Sequence, residues 1–425
     1  MGPGAFKSCP SSPETLLKYY RCRYPVGFDA GFRRAIMNIG TARADPGEVS
    51  QGWLDVTDLP TGGTERLPVV VVAGEHEGPT LWVTASLHGN EVTPLAVAQD
   101  LVRSLSPTDL RGTLIAVPIL NPAGLRLTKR RSYYHRDDPN RYFPALDREG
   151  TPEDEERAKP PRTQERIDRR VHDAIAESAN ALLDLHTAQV GSLPYLIRDQ
   201  VCFGPERDRE TAEELNETFD AVLSAMGLPV VNEFPVPEYF ERNFHRTLSG
   251  SVLNTLGIPA ATVELGGHTV VDEAVRERAL CGLARVMATL DMLDGPGTLD
   301  TPDVFGAFGA VSDRTSNGTN ANETATADSI DSPVSHPVKR HDGPRVSNTG
   351  IVRHRLEPGD IVEAGDPVAE VVTPHGEVTE TVESAHDGYV LARKPGVSVY
   401  ANDAIYSMAV RDDSDRVVPR DGDGE

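Results

Sequence analysis

Cysteine is scarce in this chain of 425 residues: Cys9, Cys22, Cys202 and Cys281 show no close spacing and no C-x-x-C. That argues against a disulfide framework and a cysteine-based zinc site. Lysine is rarer still relative to arginine, six residues against 36. No apolar run approaches the ~20 residues that cross a bilayer, and the opening residues lack a signal peptide's apolar core, so a cytoplasmic protein is expected. No G-x-S-x-G follows a strand-like run, which leaves a Ser-His-Asp hydrolase without its nucleophile elbow. The formal net charge of −23 makes nucleic acid and anionic membranes unexpected partners. An acidic, lysine-poor surface suits a cytoplasm very high in salt, where screening is short-ranged, and a halophilic protein is expected.

What is present divides the chain. Residues 1–36 carry a net charge of +4 against the acidic whole, and Met37 opens "MNIGTARADPGE", so 1–36 reads as an extension preceding the true start. From about 67 to 292, short apolar runs alternate with amphipathic stretches, the pattern of an α/β fold with a largely parallel sheet flanked by helices. Expected strands are "LPVVVVAG", "LWVTASL", "TLIAVPIL", "ALLDLH" and "PAATVEL"; expected helices include Glu91 to Leu105 and Val275 to Leu293. The resulting division is a main α/β domain over 37–298, a C-terminal module over 299–412 and an acidic tail over 413–425. Within the module, 313–349 is rich in Ser, Thr, Asn, Asp and Pro with few large apolar residues, and reads as a disordered linker or insertion. Beyond it, "GIVRHRLEPGDIVEAGDPVAEV" repeats as "GYVLARKPGVSVYANDAIYSMA", aligning Gly350 with Gly388 and Asp366 with Asp403. Two such halves would form a small β-barrel sandwich like those that carry lipoyl or biotinyl groups. The hairpin between them has no acceptor lysine, so a structural or shielding module is the better reading.

Four polar constellations stand at the carboxyl ends of expected strands, where open α/β sheets place their ligands. His88-Gly-Asn-Glu91 can bring an imidazole and a carboxylate to one ion, with Gly89 allowing the tight turn; the plainer alternative is a helix start that favours an acid. Asp184 and His186 share one strand face, so His186 could be a third ligand and Asp184 could orient a ligand histidine. Glu264, closing an apolar strand before two glycines, is placed to act as a general base. The loop "NPAGLRLTKRRSYYHRDDPNRYFP" gathers six cations, suited to an anionic substrate or an oxyanion.

In order, "HGNE", "NPAG", "DPNRYFP", "DLHT" and "VELGG" resemble the succinylglutamate desuccinylase/aspartoacylase family, a branch of the zinc carboxypeptidase-like hydrolases, from about residue 50 to about 410. The resemblance implies a carboxypeptidase-like mixed sheet and one zinc ion held by His88, Glu91 and His186, with Glu264 as general base and proton shuttle. It also implies that Asn140 and Arg141 grip a substrate carboxylate. The family's oxyanion arginine, often about seven residues before that pair, finds Tyr133 here; Arg130, Arg131 and Arg136 are the substitutes, and Arg131 is taken as the catalytic one. "DPNR" in place of Asp-Leu-Asn-Arg is a second departure.

The implied activity is deacylation of a small N-acyl amino acid or related N-acyl amine bearing a carboxylate. Rival readings are a zinc carboxypeptidase, an N-acetyl-diaminobutyrate deacetylase, and a binding protein that has kept the fold without the chemistry. Competent residues at His88, Glu91, His186 and Glu264 argue against the last. A homo-oligomer is compatible with the sequence.

Overall fold

A computed structural model describes residues 36–134, 137–145, 160–295 and 330–420. The 1–36 extension, apart from Ile36, lies outside these residues, as do Cys9, Cys22 and Arg136.

The first half supplies β1 (Met37–Ile39), β2 (Ala42–Ala44), β3 (Val49–Asp58), β4 (Thr64–Ala73), β5 (His76–Ala85), β6 (Arg111–Val117), β7 (Ala181–Ala188), β8 (Tyr195–Arg198), β9 (Val201–Phe203), β10 (Val230–Asn232) and β11 (Ala260–Gly267). All five expected strands form, as β4, β5, β6, β7 and β11. Their apolar runs are long and unbroken because they are covered on both faces: Leu81, Trp82, Val83, Leu182, Leu183, Leu185 and Val263 are fully buried. Strands β6, β5, β7 and β11 run parallel to one another, while β4 and β8 join antiparallel at the two sides, making the sheet mixed. The helices Val92–Ser104 and Arg209–Met226 both pack on Glu273–Thr289. Asp208 and Asp272 cap the last two by accepting from Thr211 and Val275 backbone N–H groups. No helix among the described residues is long and apolar enough to cross a membrane.

The second half adds β12 (Val338–Asp342), β13 (Gly350–His354), β14 (Ile361–Val362), β15 (Pro367–Val372), β16 (Val378–Glu383), β17 (Gly388–Arg393), β18 (Ser398–Val399), β19 (Tyr406–Arg411) and β20 (Val417–Pro419). The repeat folds as matched halves that exchange strands: β14 of the first pairs with β17 of the second, and β13 of the first with β18 of the second. Gly359 and Gly396 both have φ near +90°, and Asp366 and Asp403 make the same turn, each accepting from the backbone N–H three residues earlier.

Two boundaries expected from sequence are corrected. Residues 330–349 are not a disordered linker. β12 is a strand within a twelve-stranded sheet of order β14-β17-β19-β12-β10-β8-β11-β7-β5-β6-β4-β3, and Val338 is buried against Tyr195, Val231 and Leu391. Only 313–329 of that linker falls outside the described residues. The sheet therefore runs unbroken from the first half into the module, whose other face is the four-stranded sheet β16-β15-β13-β18. The start of the acidic tail also folds back, β20 lying parallel to β9.

Candidate metal centre

His88 leaves β5 through a bend that the backbone makes with difficulty. Ser86 is left-handed at φ 51°, a conformation that costs an L-residue energy, and its hydroxyl donates to the Glu91 carbonyl at 3.0 Å. Gly89 lies so close to the helix Pro122–Leu127 that a Cβ there would stand 2.0 Å from the Gly124 carbonyl carbon. The glycines of "HGNE" and "NPAG" are thus two sides of one contact. Asn121 completes it, capping that helix through Gly124 N–H and donating to the Leu87 carbonyl at 3.1 Å, one residue before His88.

The turn delivers His88 and Glu91 to His186 of β7, and all three are buried, with candidate ligand atoms within 4.8 Å of one another. His88 Nδ1 lies 2.8 Å from Glu91 Oε1, His186 Nδ1 lies 2.9 Å from Glu91 Oε2, and the two Nδ1 atoms are 3.2 Å apart. Each imidazole is held from behind: His88 Nε2 is 2.9 Å from Asp138, and His186 Nε2 is 2.7 Å from Asp184. A carboxylate on Nε2 keeps the proton there and leaves Nδ1 with its lone pair free, the state in which histidine binds a metal. Asp184 is in turn fixed by the Thr84 hydroxyl at 2.6 Å.

Charge tests whether a metal fits. Among the described residues, three carboxylates (Glu91, Asp138, Asp184) contact the two imidazoles, and one guanidinium, Arg130, contacts Glu91 and Asp138 at 3.4 and 2.8 Å. With neutral imidazoles this leaves a net charge of −2, which a divalent cation neutralises. Burial alone would raise Glu91, but without an ion positive charge on the His88 and His186 rings overcomes it and holds the carboxyl well below its usual range; with neutral rings a bound cation would take that part. Asp138 is likewise held low, burial being outweighed by His88, Arg130 and Arg141. One carboxylate and two imidazole nitrogens suit zinc.

The triad opens on a cavity that Glu264, Arg130, Asn140, Arg141, Asp199 and Arg340 help to line. Glu264 Oε2 is buried with no hydrogen-bond partner among the described residues; burial raises this carboxyl above its ordinary value, with His186 opposing and Glu91 adding to the rise. Arg141 packs its guanidinium 4.6 Å from the Phe244 ring centre and donates to the Asn140 carbonyl. Asn140 is buried, and its side-chain oxygen accepts from Leu248 N–H at 2.8 Å, tying the loop down. Proline fits "DPNR" well: Asp138 caps a single 3₁₀ turn, Pro139–Arg141, with Pro139 at its first position.

Among the described residues, the sequence-derived candidates fall at this cavity or directly behind it except Arg131, which is exposed and lines a neighbouring cleft with Lys129, Tyr133 and Tyr134; Arg136 lies outside the described residues. Of Arg130 and Arg131, Arg130 is the one that reaches the triad, through Glu91. Asp138, Asp199, Glu233 and Arg340 were not foreseen. For Asp138 a signal was available, an acid beside the Asn-Arg pair. For Arg340 there was none, since "VKRHD" has a single apolar residue and no alternation.

Residues 77–290 match the family model described as the succinylglutamate desuccinylase/aspartoacylase catalytic domain. A succinylglutamate desuccinylase of Pseudomonas paraeruginosa is 29% identical over 234 residues, spanning 54% of this chain and 64% of that protein. One from Pseudomonas aeruginosa is 26% identical over the same extent, so the chain matches less than two thirds of these curated relatives' length. Among solved structures, a succinylglutamate desuccinylase/aspartoacylase from Rhodobacter sphaeroides superposes with a TM-score of 0.60 at 19% identity, covering 91% of this chain and 99% of that one. The product-bound ectoine utilization protein EutE (DoeB) from Ruegeria pomeroyi gives 0.61 at 18% identity, covering 90% and 100%. At these identities the structural likeness speaks for the fold alone.

Proposed function

We propose a function from one premise: this chain belongs to the succinylglutamate desuccinylase/aspartoacylase family. It is a zinc-dependent deacylase that hydrolyses the amide of a small N-acyl amino acid or related N-acyl amine. One observation carries the reading: the buried His88–Glu91–His186 triad, each imidazole backed by its own carboxylate, faces a Glu264 oxygen that has no partner among the described residues.

His88, Glu91 and His186 would hold zinc, which supplies a water acidified towards a pKa of ~7 and polarisation of the acyl carbonyl. Glu264 accepts the attacking water's proton on its unpaired oxygen and returns a proton to the leaving amine. Burial supports the first half of that task, since a carboxyl raised above its ordinary value accepts and holds a proton more readily. Arg130, braced by Asp138, stabilises the developing oxyanion in place of Arg131. Arg141 has no ion-pair partner among the described residues and pairs with the substrate carboxylate. The products are an amine and a carboxylate.

Metal analysis of the purified protein, with Glu91→Ala and His186→Ala beside it and hydrolysis of an N-acyl amino acid panel on the same samples, tests this. About one zinc per chain is expected, lost in both variants together with activity. A folded wild-type protein without stoichiometric metal defeats the mechanism.

A further inference from the structure

Arg340 sits in the middle of β12, between β10 on one side and β19 on the other, opposite Ala409. Its side chain is about one-fifth exposed and lines the same cavity as the triad. Glu233 accepts from Nη1 at 2.6 Å, while Nε is buried without a hydrogen-bond partner among the described residues. The guanidinium lies 5.5 Å from the centre of the Phe244 ring, the ring that also carries Arg141 at 4.6 Å. Two like charges thus share one aromatic ring, and of the two only Arg340 has an ion-paired carboxylate among the described residues. The other acid of this wall, Asp199, is pushed up to about 7 by burial and by Glu233, against the hydroxyls of Ser249 and Tyr239 that donate to it. Below that pH it adds little negative charge, and Arg141, Arg340, Glu233 and Asp199 together keep about one positive charge in excess; Asp138, which also acts on Arg141, is already matched by Arg130. Burying such an excess is expensive without an anion to meet it.

We propose that Arg340 and Arg141 form a two-arginine clamp for the substrate carboxylate, with Glu233 fixing the Nη1 end of Arg340 and Phe244 setting the spacing of the two guanidiniums. The clamp rests on the deacylase reading and adds to it a specificity-determining residue from outside the family-matched segment 77–290. One arginine comes from the loop after β6 and the other from β12, so discrimination in favour of a carboxylate depends on both halves of the chain. Neither guanidinium belongs to the triad, and so neither is needed to hold the metal.

The test compares zinc-loaded full-length protein with Arg340→Gln, Arg340→Lys and the double variant Glu233→Gln/Arg340→Gln. Two probes differ by the carboxylate alone: the N-acyl amino acid that the panel selects and its decarboxylated amide. Loss of a charged contact predicts that Arg340→Gln raises KM for the carboxylate substrate about 10- to 100-fold. Zinc content, kcat and hydrolysis of the decarboxylated amide stay within about threefold. Arg340→Lys falls between, because an ammonium keeps the charge without the fork. The double variant removes the orphaned Glu233 charge and should show the same selectivity loss in a protein of near wild-type thermal stability. An unchanged preference between the two probes, or an equal fall on both, overturns the clamp. If the wild type hydrolyses neither, the deacylase reading fails, and calorimetry with N-acetylglycine and N-methylacetamide decides the clamp separately. Preference for N-acetylglycine that Arg340→Gln abolishes supports it; equal binding, or none, refutes it.

Discussion

Replacing Asp138 with asparagine isolates what one carboxylate does at the centre. Its Oδ1 lies 2.9 Å from His88 Nε2 and accepts from Asn140 N–H at 3.0 Å, while Oδ2 accepts from Arg130 at 2.8 Å. All three partners donate. An amide has one accepting oxygen, so Asp138→Asn must turn its NH2 group towards either Arg130 or His88. In the first case Arg130 loses its brace; in the second the imidazole tautomer reverses and Nδ1 carries a proton where the metal should sit. Either way at least one charged hydrogen bond is lost, about 1.5–3 kcal/mol, which is roughly 10- to 150-fold in an equilibrium constant. Zinc affinity, measured by competition with a chromophoric chelator at fixed pH, is expected to weaken by that factor where the imidazole reverses, and kcat/KM at saturating zinc to fall where Arg130 loses its brace. Unchanged far-UV circular dichroism would show that the fold is intact. An Asp138→Asn protein that holds zinc within about threefold of wild type and keeps its activity would refute the role assigned to this carboxylate.

Three further outcomes are expected. Glu264→Gln should lower kcat by about 10²- to 10⁴-fold with zinc content unchanged; a zinc-replete variant retaining more than about a tenth of the activity removes Glu264 from the mechanism. Gly89→Ala places a methyl 2.0 Å from the Gly124 carbonyl carbon, so urea titration should show a loss of at least about 1–3 kcal/mol, and an unchanged midpoint would contradict the close packing. Asp199 has its folded pKa raised to about 7, above the ~3.9 of an unfolded aspartate, so its contribution to stability falls as pH rises from about 4 to 7 and then levels. Asp199→Asn, which cannot ionise, should gain on the wild type across that window in denaturant melts at pH 4.5, 6 and 7.5; a constant gap between the two proteins would show that Asp199 does not titrate there.

Much of the site could be read from sequence because its chemistry stands where apolar strands stop. Asp184, His186 and Glu264 interrupt runs that are otherwise buried on both faces, and a charged group in that setting is conspicuous. Spacing alone also joined His88 to Glu91. Arg130 and Arg131 could not be told apart by such reasoning. They are adjacent in a loop whose path is set by left-handed Thr128 at φ 51°, and only that path decides which one reaches Asp138. Arg340 was hidden for a different reason. A five-residue strand with one fully buried apolar side chain, Val338, has too little pattern to stand out in a polar stretch. β12 is secured instead by pairing with β19, some 70 residues further along the chain, information no local window contains. The repeat made the module's halves legible, but it carried no sign that β17 and β19 continue the first half's sheet.

That continuation has a consequence for synthesis. Strand β10 is paired with β8 on one side, and its other neighbour is β12, which is locked in turn by β19 at residues 406–411. A ribosome that has released everything up to β11 has therefore made the complete triad and Glu264, beside a sheet edge that stays open until more than a hundred further residues have emerged. Open edges recruit other strands, and non-local pairings form late. The nascent chain thus passes through an interval in which its metal ligands can assemble while one wall of the cavity is missing and the sheet is most exposed to wrong partners. The last strands end that interval and close the reaction chamber in the same event.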